Sequence, residues 1–227
     1  MEVAIIVAGG SGSRMNADVP KQFLELAGMP ILMHTIKVFR NYSNDLNIIL
    51  VLPQDRLEDW ENLKGQYKFI ISHTVVIGGN SRTESVRNGL TLVENSDIVA
   101  IHDGVRPLIT KDVISRAFQV ADKHSNAIVS VQLKDSLRKL NKEKQSHAVE
   151  RKDFRLVQTP QVFQGELIKN AYQKIKASDQ EFTDDASVVE HFGYSINLVD
   201  GEYSNIKITT QEDLIVAESI LKSRAIL

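Results

Sequence analysis

Short, almost wholly apolar runs alternate along this chain with longer amphipathic stretches, and that rhythm leaves few folds open. "VAIIVA" (3–8), "NIILVL" (47–52), "HTVVIG" (73–78), "DIVAIHD" (97–103) and "NAIVSVQL" (126–133) predict strands. Runs that are apolar at nearly every position suit strands covered on both faces. Between them, "PILMHTIKVFR" (30–40), "DRLEDWENLK" (55–64), "SRTESVRNGLTLV" (81–93) and "KDVISRAFQVADKH" (111–124) read as helices. In the last, Val113, Ile114, Ala117, Val120 and Ala121 fall on one helical face. The expectation is an α/β fold, a Rossmann-like three-layer sandwich with a mostly parallel central sheet. Ligands of such sheets bind beyond the carboxyl ends of the strands. The corners after residues 8, 52, 78 and 103 are therefore where a site is expected.

The chain has 227 residues and 42% hydrophobic content, enough for one substantial core, and is read as a single domain over 1–227. A formal net charge of −2 argues against a general nucleic-acid or membrane surface, so an anionic ligand must be met by a few placed cations. With no cysteine there is no disulfide, thiolate zinc site or cysteine nucleophile, which fits a reducing compartment. The six histidines are scattered, with no pair at helical ligand spacing. No basic segment precedes the first apolar run, and none of the runs approaches the roughly 20 residues that span a bilayer. A soluble, cytoplasmic protein is expected.

The alternation breaks at 134–158, "KDSLRKLNKEKQSHAVERKDFRLVQ", which is polar and lacks a helical apolar stripe. Its alternating pieces around "NKEK" predict a β-hairpin arm projecting from the body, a candidate surface for a second subunit. Beyond it, "QGELIKNAYQKIKA" (164–177) reads as a helix, and "TDDASVVEHFG" (183–193) as a short helix with Thr183 as its cap and Asp184 and Asp185 in the first turn. "YSINLVDG" (194–201) reads as a strand, and "TQEDLIVAESILKSR" (210–224) as a closing helix opened by a capping Thr.

The first strand runs straight into glycine. Gly9, Gly10 and Gly12 allow a tight turn and leave backbone N–H groups open to a phosphate or a base. A dinucleotide fingerprint begun at Gly10 would want glycine at 15 but meets Met15, and the P-loop lysine followed by Ser/Thr is absent. A glycine turn alone is also what any sharp corner needs. Two cations, Arg14 and Lys21, follow on the same loop, and that pairing points to phosphate. Arg offers a planar fork and Lys a compact charge, aimed where a polyphosphate leaving group gains charge. Later, Lys207 lies between two β-branched residues in "NIKIT", an awkward place for a charge unless it faces an anion. In "IHDGVRP", where a strand ends at the ligand edge of the sheet, Asp103 can accept hydrogen bonds and Arg106 can hold a phosphate.

"AGGSGSRMNADVPKQF" resembles the signature of sugar-phosphate nucleotidyltransferases. "GGNSRTESVRNGL", "IHDGVRP", "QTPQVF", "TDDASVVE" and "NIKITTQEDLIVAE" follow in order. The series is similar to the 2-C-methyl-D-erythritol 4-phosphate cytidylyltransferases of the non-mevalonate isoprenoid precursor pathway. The resemblance runs from the first strand to the last helix. It implies in-line attack by the acceptor's phosphate oxygen on the α-phosphorus of CTP, with release of pyrophosphate and with Mg²⁺ bound mainly through the CTP phosphates.

By the same resemblance, Arg14 and Lys21 match the triphosphate clamp, and Ala8, Gly9, Gly10, Gly79 and Ser85 the cytosine-reading positions. Asp103, Arg106, Arg151, Thr159, Thr183 and Lys207 match acceptor contacts, with Arg151 and Lys207 also in catalytic positions. The arm would make a homodimer and carry Arg151 and Thr159 toward the partner's site. Many members have Ala-Ala-Gly where this chain has Ala8-Gly9-Gly10, and the smaller residue still fits. Metal ligands stay open. So do two other readings, a pentitol-phosphate (ribitol-5-phosphate) cytidylyltransferase and a catalytically silent nucleotide-binding regulator. Retention of the whole set of cations argues against the regulator.

Overall fold

The computed structural model describes residues 1–9, 19–175 and 182–226. The first strand, β1 (Glu2–Val7), is followed by a small hairpin, β2 (Glu25–Leu26) and β3 (Met29–Pro30), and then by α1 (Ile31–Tyr42). Strand β4 (Asn47–Leu52), α2 (Leu57–Gln66), β5 (Thr74–Ile77), α3 (Arg82–Leu90), β6 (Ile98–Asp103), α4 (Lys111–His124) and β7 (Asn126–Gln132) continue the alternation. The hairpin β8 (Leu137–Leu140) and β9 (Ser146–Val149) interrupts it. After that come β10 (Arg155–Gln164), α5 (Gly165–Lys174), α6 (Asp185–His191), β11 (Leu198–Asp200) and α7 (Gln211–Ile226).

Seven strands form one sheet in the order β11-β7-β10-β6-β1-β4-β5. All neighbours pair in parallel except β10, which runs antiparallel to both β6 and β7. Successive residues of β1 serve opposite faces: Ala4 and Ile6 pack with α1, Trp60 of α2 and α4, while Val3 and Ile5 pack with α3, α5 and α6. This two-sided burial explains why the strands are apolar at every position. Along α4 the buried stripe is Val113, Ile114, Ala117, Phe118 and Ala121, and Val120 packs half-buried against the same core.

Three details differ from the sequence reading. First, the polar excursion ends before 158, because Arg155 already enters the central sheet as part of β10. Proline at 160 argues against a central strand. Pro160 is accommodated at a register shift between Val157 and Gln161, where the ladder needs no N–H from it. Second, the cap of α6 is Asp184, not Thr183. Its carboxylate accepts the Ser187 N–H, and the Ser187 hydroxyl accepts the Asp184 N–H in return. Third, β11 is only three residues long. At the closing helix the expected cap holds: Thr210 Oγ1 accepts the Asp213 N–H, and Asp213 accepts from the N–H groups of Thr209 and Thr210. The β8–β9 hairpin forms around "NKEK" as its own two-stranded sheet.

Candidate active site

The strand order turns back on itself at β1, which has β4 on one side and β6 on the other. A crevice opens at such a switch point, outside the carboxyl ends. Val7 is in register with both Val51 and Asp103, and just beyond it the Ala8 N–H reaches the Val51 carbonyl at 3.0 Å. At the end of β5, the Gly79 N–H donates to Ser85 Oγ at 3.1 Å, and the same oxygen lies 3.6 Å from where a Cβ on Gly9 would stand. Ala8, Gly9, Gly79 and Ser85 thus converge on one corner. With Gly79's N–H on its lone pair, the Ser85 hydroxyl keeps its proton to donate. The corner offers backbone groups and one hydroxyl at close range, the kind of edge that reads a planar base.

Lys21 opens a short 3₁₀ turn, Lys21–Phe23, fixed beside that corner. Its neighbour Gln22 donates Nε2–H to the Ala8 carbonyl at 2.9 Å, and Phe23 stacks on Trp60. Gly10, Gly12 and Arg14 lie outside the described residues.

The next corner, after β6, opens into a cavity of about 350 Å³. Arg82, Asp103, Arg106, Thr159, Thr183 and Lys207 line it. Asp103 is its electrostatic centre: Oδ2 meets Arg106 Nε and Lys207 Nζ, both at 3.1 Å. Burial alone would raise the pKa of this carboxyl, but the charges of Lys207, Arg106 and Arg82 outweigh it and hold the group ionised, below the usual carboxylate range. Arg106 is fixed again by an Nη1 bond to the Asn205 carbonyl at 2.9 Å. Lys207 faces the cavity because its neighbours face away: Ile208 is buried and donates its N–H to Val105 at 3.0 Å. The anion that its sequence position called for is Asp103.

Thr159 reaches this corner through the antiparallel register of β10, which sets Gln161 against Ile101. Its hydroxyl accepts the Asp103 N–H at 3.0 Å and lies 3.0 Å from His102 Nδ1. The Arg106 carbonyl, 3.1 Å from Nε2, can only accept, so the neutral ring carries its hydrogen on Nε2 and its Nδ1 accepts from the Thr159 hydroxyl. Burial pushes the His102 pKa down to about 4, so the ring is neutral at pH 7. The hydroxyl of Thr159 is thus committed to the backbone of the strand that presents Asp103.

The fold brings Asp103, Arg106, Thr159, Thr183 and Lys207 to one cavity, next to the corner of Ala8, Gly9, Gly79 and Ser85. Arg151 stands apart: it opens an exposed 3₁₀ turn at the foot of the arm, with Nη1 on the Lys134 carbonyl. Sequence reasoning passed over Arg82, His102, Gln158, Gln161 and Asn205, all of which lay within or beside quoted motifs. Their signal was polarity at buried positions, since His102, Gln161 and Asn205 are almost wholly enclosed. Cations that donate, carboxylates that accept and neutral hydroxyl and amide groups together line the cavity, which suits a ligand bearing both hydroxyls and a phosphate.

Residues 2–223 match the family described as IspD, 2-C-methyl-D-erythritol 4-phosphate cytidylyltransferase. The chain belongs to this cytidylyltransferase family. A relative from Bacteroides thetaiotaomicron, named 2-C-methyl-D-erythritol 4-phosphate cytidylyltransferase, is 46% identical over 96% of this chain and 98% of its own length. Among solved structures, 4-diphosphocytidyl-2C-methyl-D-erythritol synthase from Anaerococcus prevotii superposes with a TM-score of 0.84 at 31% identity, covering 97% of this chain and 96% of that one. The 2-C-methyl-D-erythritol 4-phosphate cytidylyltransferase from Thermus thermophilus gives 0.81 at 29% identity, covering 98% and 100%. The match to the cytidylyltransferase family takes in the glycine corner, the cavity and the arm alike, so the family's likeness is to the assembled site and not to one motif.

Proposed function

We propose that the chain transfers CMP from CTP to 2-C-methyl-D-erythritol 4-phosphate, releasing pyrophosphate and giving 4-diphosphocytidyl-2-C-methyl-D-erythritol. The carrying observation is Asp103 held ionised between Arg106 and Lys207, in a cavity that adjoins the glycine corner on the same sheet edge. The corner holds the cytosine and presents the α-phosphate toward the cavity. There Asp103 orients the polyol hydroxyls, while Lys207 and Arg106 attract the acceptor phosphate. Its oxygen attacks phosphorus in line, forming one P–O bond as the bond to pyrophosphate breaks. Positioning and fixed charge supply the catalysis. Arg14 and Lys21 stabilise the charge that gathers on pyrophosphate.

Magnesium bound with the triphosphate would supply partial neutralisation of its charge. The Asp103 carboxylate, already engaged by two cations, fits a metal carried by phosphate oxygens better than one carried by this side chain. The single domain of 1–227 works as a homodimer in the cytoplasm, with the 134–158 arm as the contact. Exposed Leu140, Phe154, Leu156 and Val157, on the arm and at its foot, give that contact an apolar surface. Arg151, remote from its own cavity, then serves the partner's.

The deciding experiment supplies CTP and Mg²⁺ with either methylerythritol phosphate or ribitol 5-phosphate and measures pyrophosphate. Release with the first and little with the second is expected. Preference for the pentitol overturns the acceptor, and release with neither overturns the enzyme.

A further inference from the structure

Arg82 belongs by its backbone to the base-side corner. It is the first residue of α3, follows the Ser81 cap, and precedes Ser85 by three positions. Its side chain reaches across to the other half of the site. Nη1 and Nη2 donate to Oδ1 and Oδ2 of Asp185 at 2.9 and 2.6 Å. Asp185 is fully buried at the start of α6 and takes a third bond, from the Tyr172 hydroxyl at 2.6 Å. One residue to either side, Gln161 donates to Asp184 and accepts the Ala186 N–H, each at 2.8 Å. The segment that brings Thr183 and Asp184 to the cavity wall is therefore fastened twice, to β10 by Gln161 and to the base-side corner by Arg82.

We propose that Arg82 is a positioning residue whose grip on Asp185 sets the acceptor-side wall, Thr183 and Asp184, at a fixed distance from the nucleotide corner. The proposal rests on the reading of the cavity as the acceptor subsite. Its physical basis is the cost of a buried carboxylate. Without the guanidinium, Asp185 keeps, among the described residues, the Tyr172 hydroxyl as its side-chain partner, and the start of α6 must shift to let water reach the charge. The nucleotide corner keeps its own bonds, Ser85 to Gly79 and Ser81 to Glu84, neither of which involves the Arg82 side chain.

The test compares Arg82→Gln, Arg82→Lys, Asp185→Asn and the Arg82→Gln/Asp185→Asn double variant with each substrate varied in turn. For Arg82→Gln, acceptor KM should rise about tenfold or more while CTP KM stays within about twofold, as one wall moves and the other does not. Arg82→Lys should fall between, and the double variant should be no worse than the poorer single one. Amide exchange read without turnover should show Ala186 and Ser187 about tenfold faster in Arg82→Gln, with α4 unchanged. An equal rise in both KM values, a loss confined to kcat, additive singles or unchanged exchange overturns the strut. Should Asp185→Asn fail to fold, Tyr172→Phe loosens the same carboxylate, and an acceptor KM that does not move counts against the proposal. If methylerythritol phosphate is not an acceptor for the parent protein, the functional reading falls and amide exchange alone decides the strut.

Discussion

Gly79 stands where no side chain fits: a Cβ there would come within 2.3 Å of the Glu84 Cβ, and its N–H is the donor that orients Ser85. Glu84 cannot yield, because its Oε2 accepts the Asn80 N–H at 2.7 Å and its own N–H goes to the Ser81 cap at 3.1 Å. A single methyl group therefore pushes apart the corner expected to hold cytosine. Gly79→Ala should raise CTP KM about tenfold or more and destabilise the fold by roughly 1–3 kcal/mol, the usual range for overpacking. Isothermal titration with CTP and a denaturant melt would check both, and unchanged CTP affinity would remove this corner from nucleotide binding. Lys207 illustrates the complementary case of a charge set by its neighbours, since the apolar contacts of Ile206 and Ile208 turn it toward Asp103.

Among the elements, the β8–β9 hairpin, like β2–β3, has no hydrogen-bonded neighbour in the main sheet. Its residues are nearly all exposed, and its internal ladder, the Arg138 guanidinium on Ser146, and the Asn141 turn, whose side chain accepts from Glu143 and Gln145, hold it in shape. Such an element adds little to the stability of one subunit. Replacing residues 139–147 with a two-residue turn should change that stability by under roughly 1 kcal/mol, because no core contact is lost. The same change should abolish the dimer and lower turnover about 100-fold or more if Arg151 serves the neighbouring site. Sedimentation and a turnover assay on the shortened protein decide the matter, and a fully active monomer would refute the shared site. Strand β10 is the opposite kind of element. It is central and antiparallel, and its register shift turns Gln158 and Thr159 into the cavity instead of into a ladder.

For the molecule as a whole, the buried His102–Thr159–Asp103 chain predicts acid sensitivity. An unfolded His102 takes up a proton near pH 6.5, whereas the folded ring resists it until about pH 4. Between those values the unfolded state binds more protons, so stability falls as pH falls, by up to roughly 3 kcal/mol. Asp103 is depressed by its cations, so its contribution is present above its unfolded value and is lost below about pH 4. Denaturant melts of His102→Gln should show a flatter dependence between pH 6.5 and 4 than the parent, and an identical slope would mean that His102 does not titrate on unfolding. Much of this architecture could be read in advance, because strands buried on both faces must be apolar throughout and helices on a sheet must be apolar on one side. The Ala8–Gly9 corner and the IHDGVRP and NIKIT motifs stood out by residue type, as glycine directly after an apolar strand and as charges set among apolar neighbours. Strand β10 was not, since its proline contradicts the local signal and only pairing with β6 and β7 overrides it. Neither was Arg82, whose partner lies 103 residues away along the chain. Sequence alone determined which segments become strands and helices and where the chain must turn. Tertiary structure decided which distant charges meet, because an ion pair in a cavity depends on strand order and register, and no local pattern encodes either.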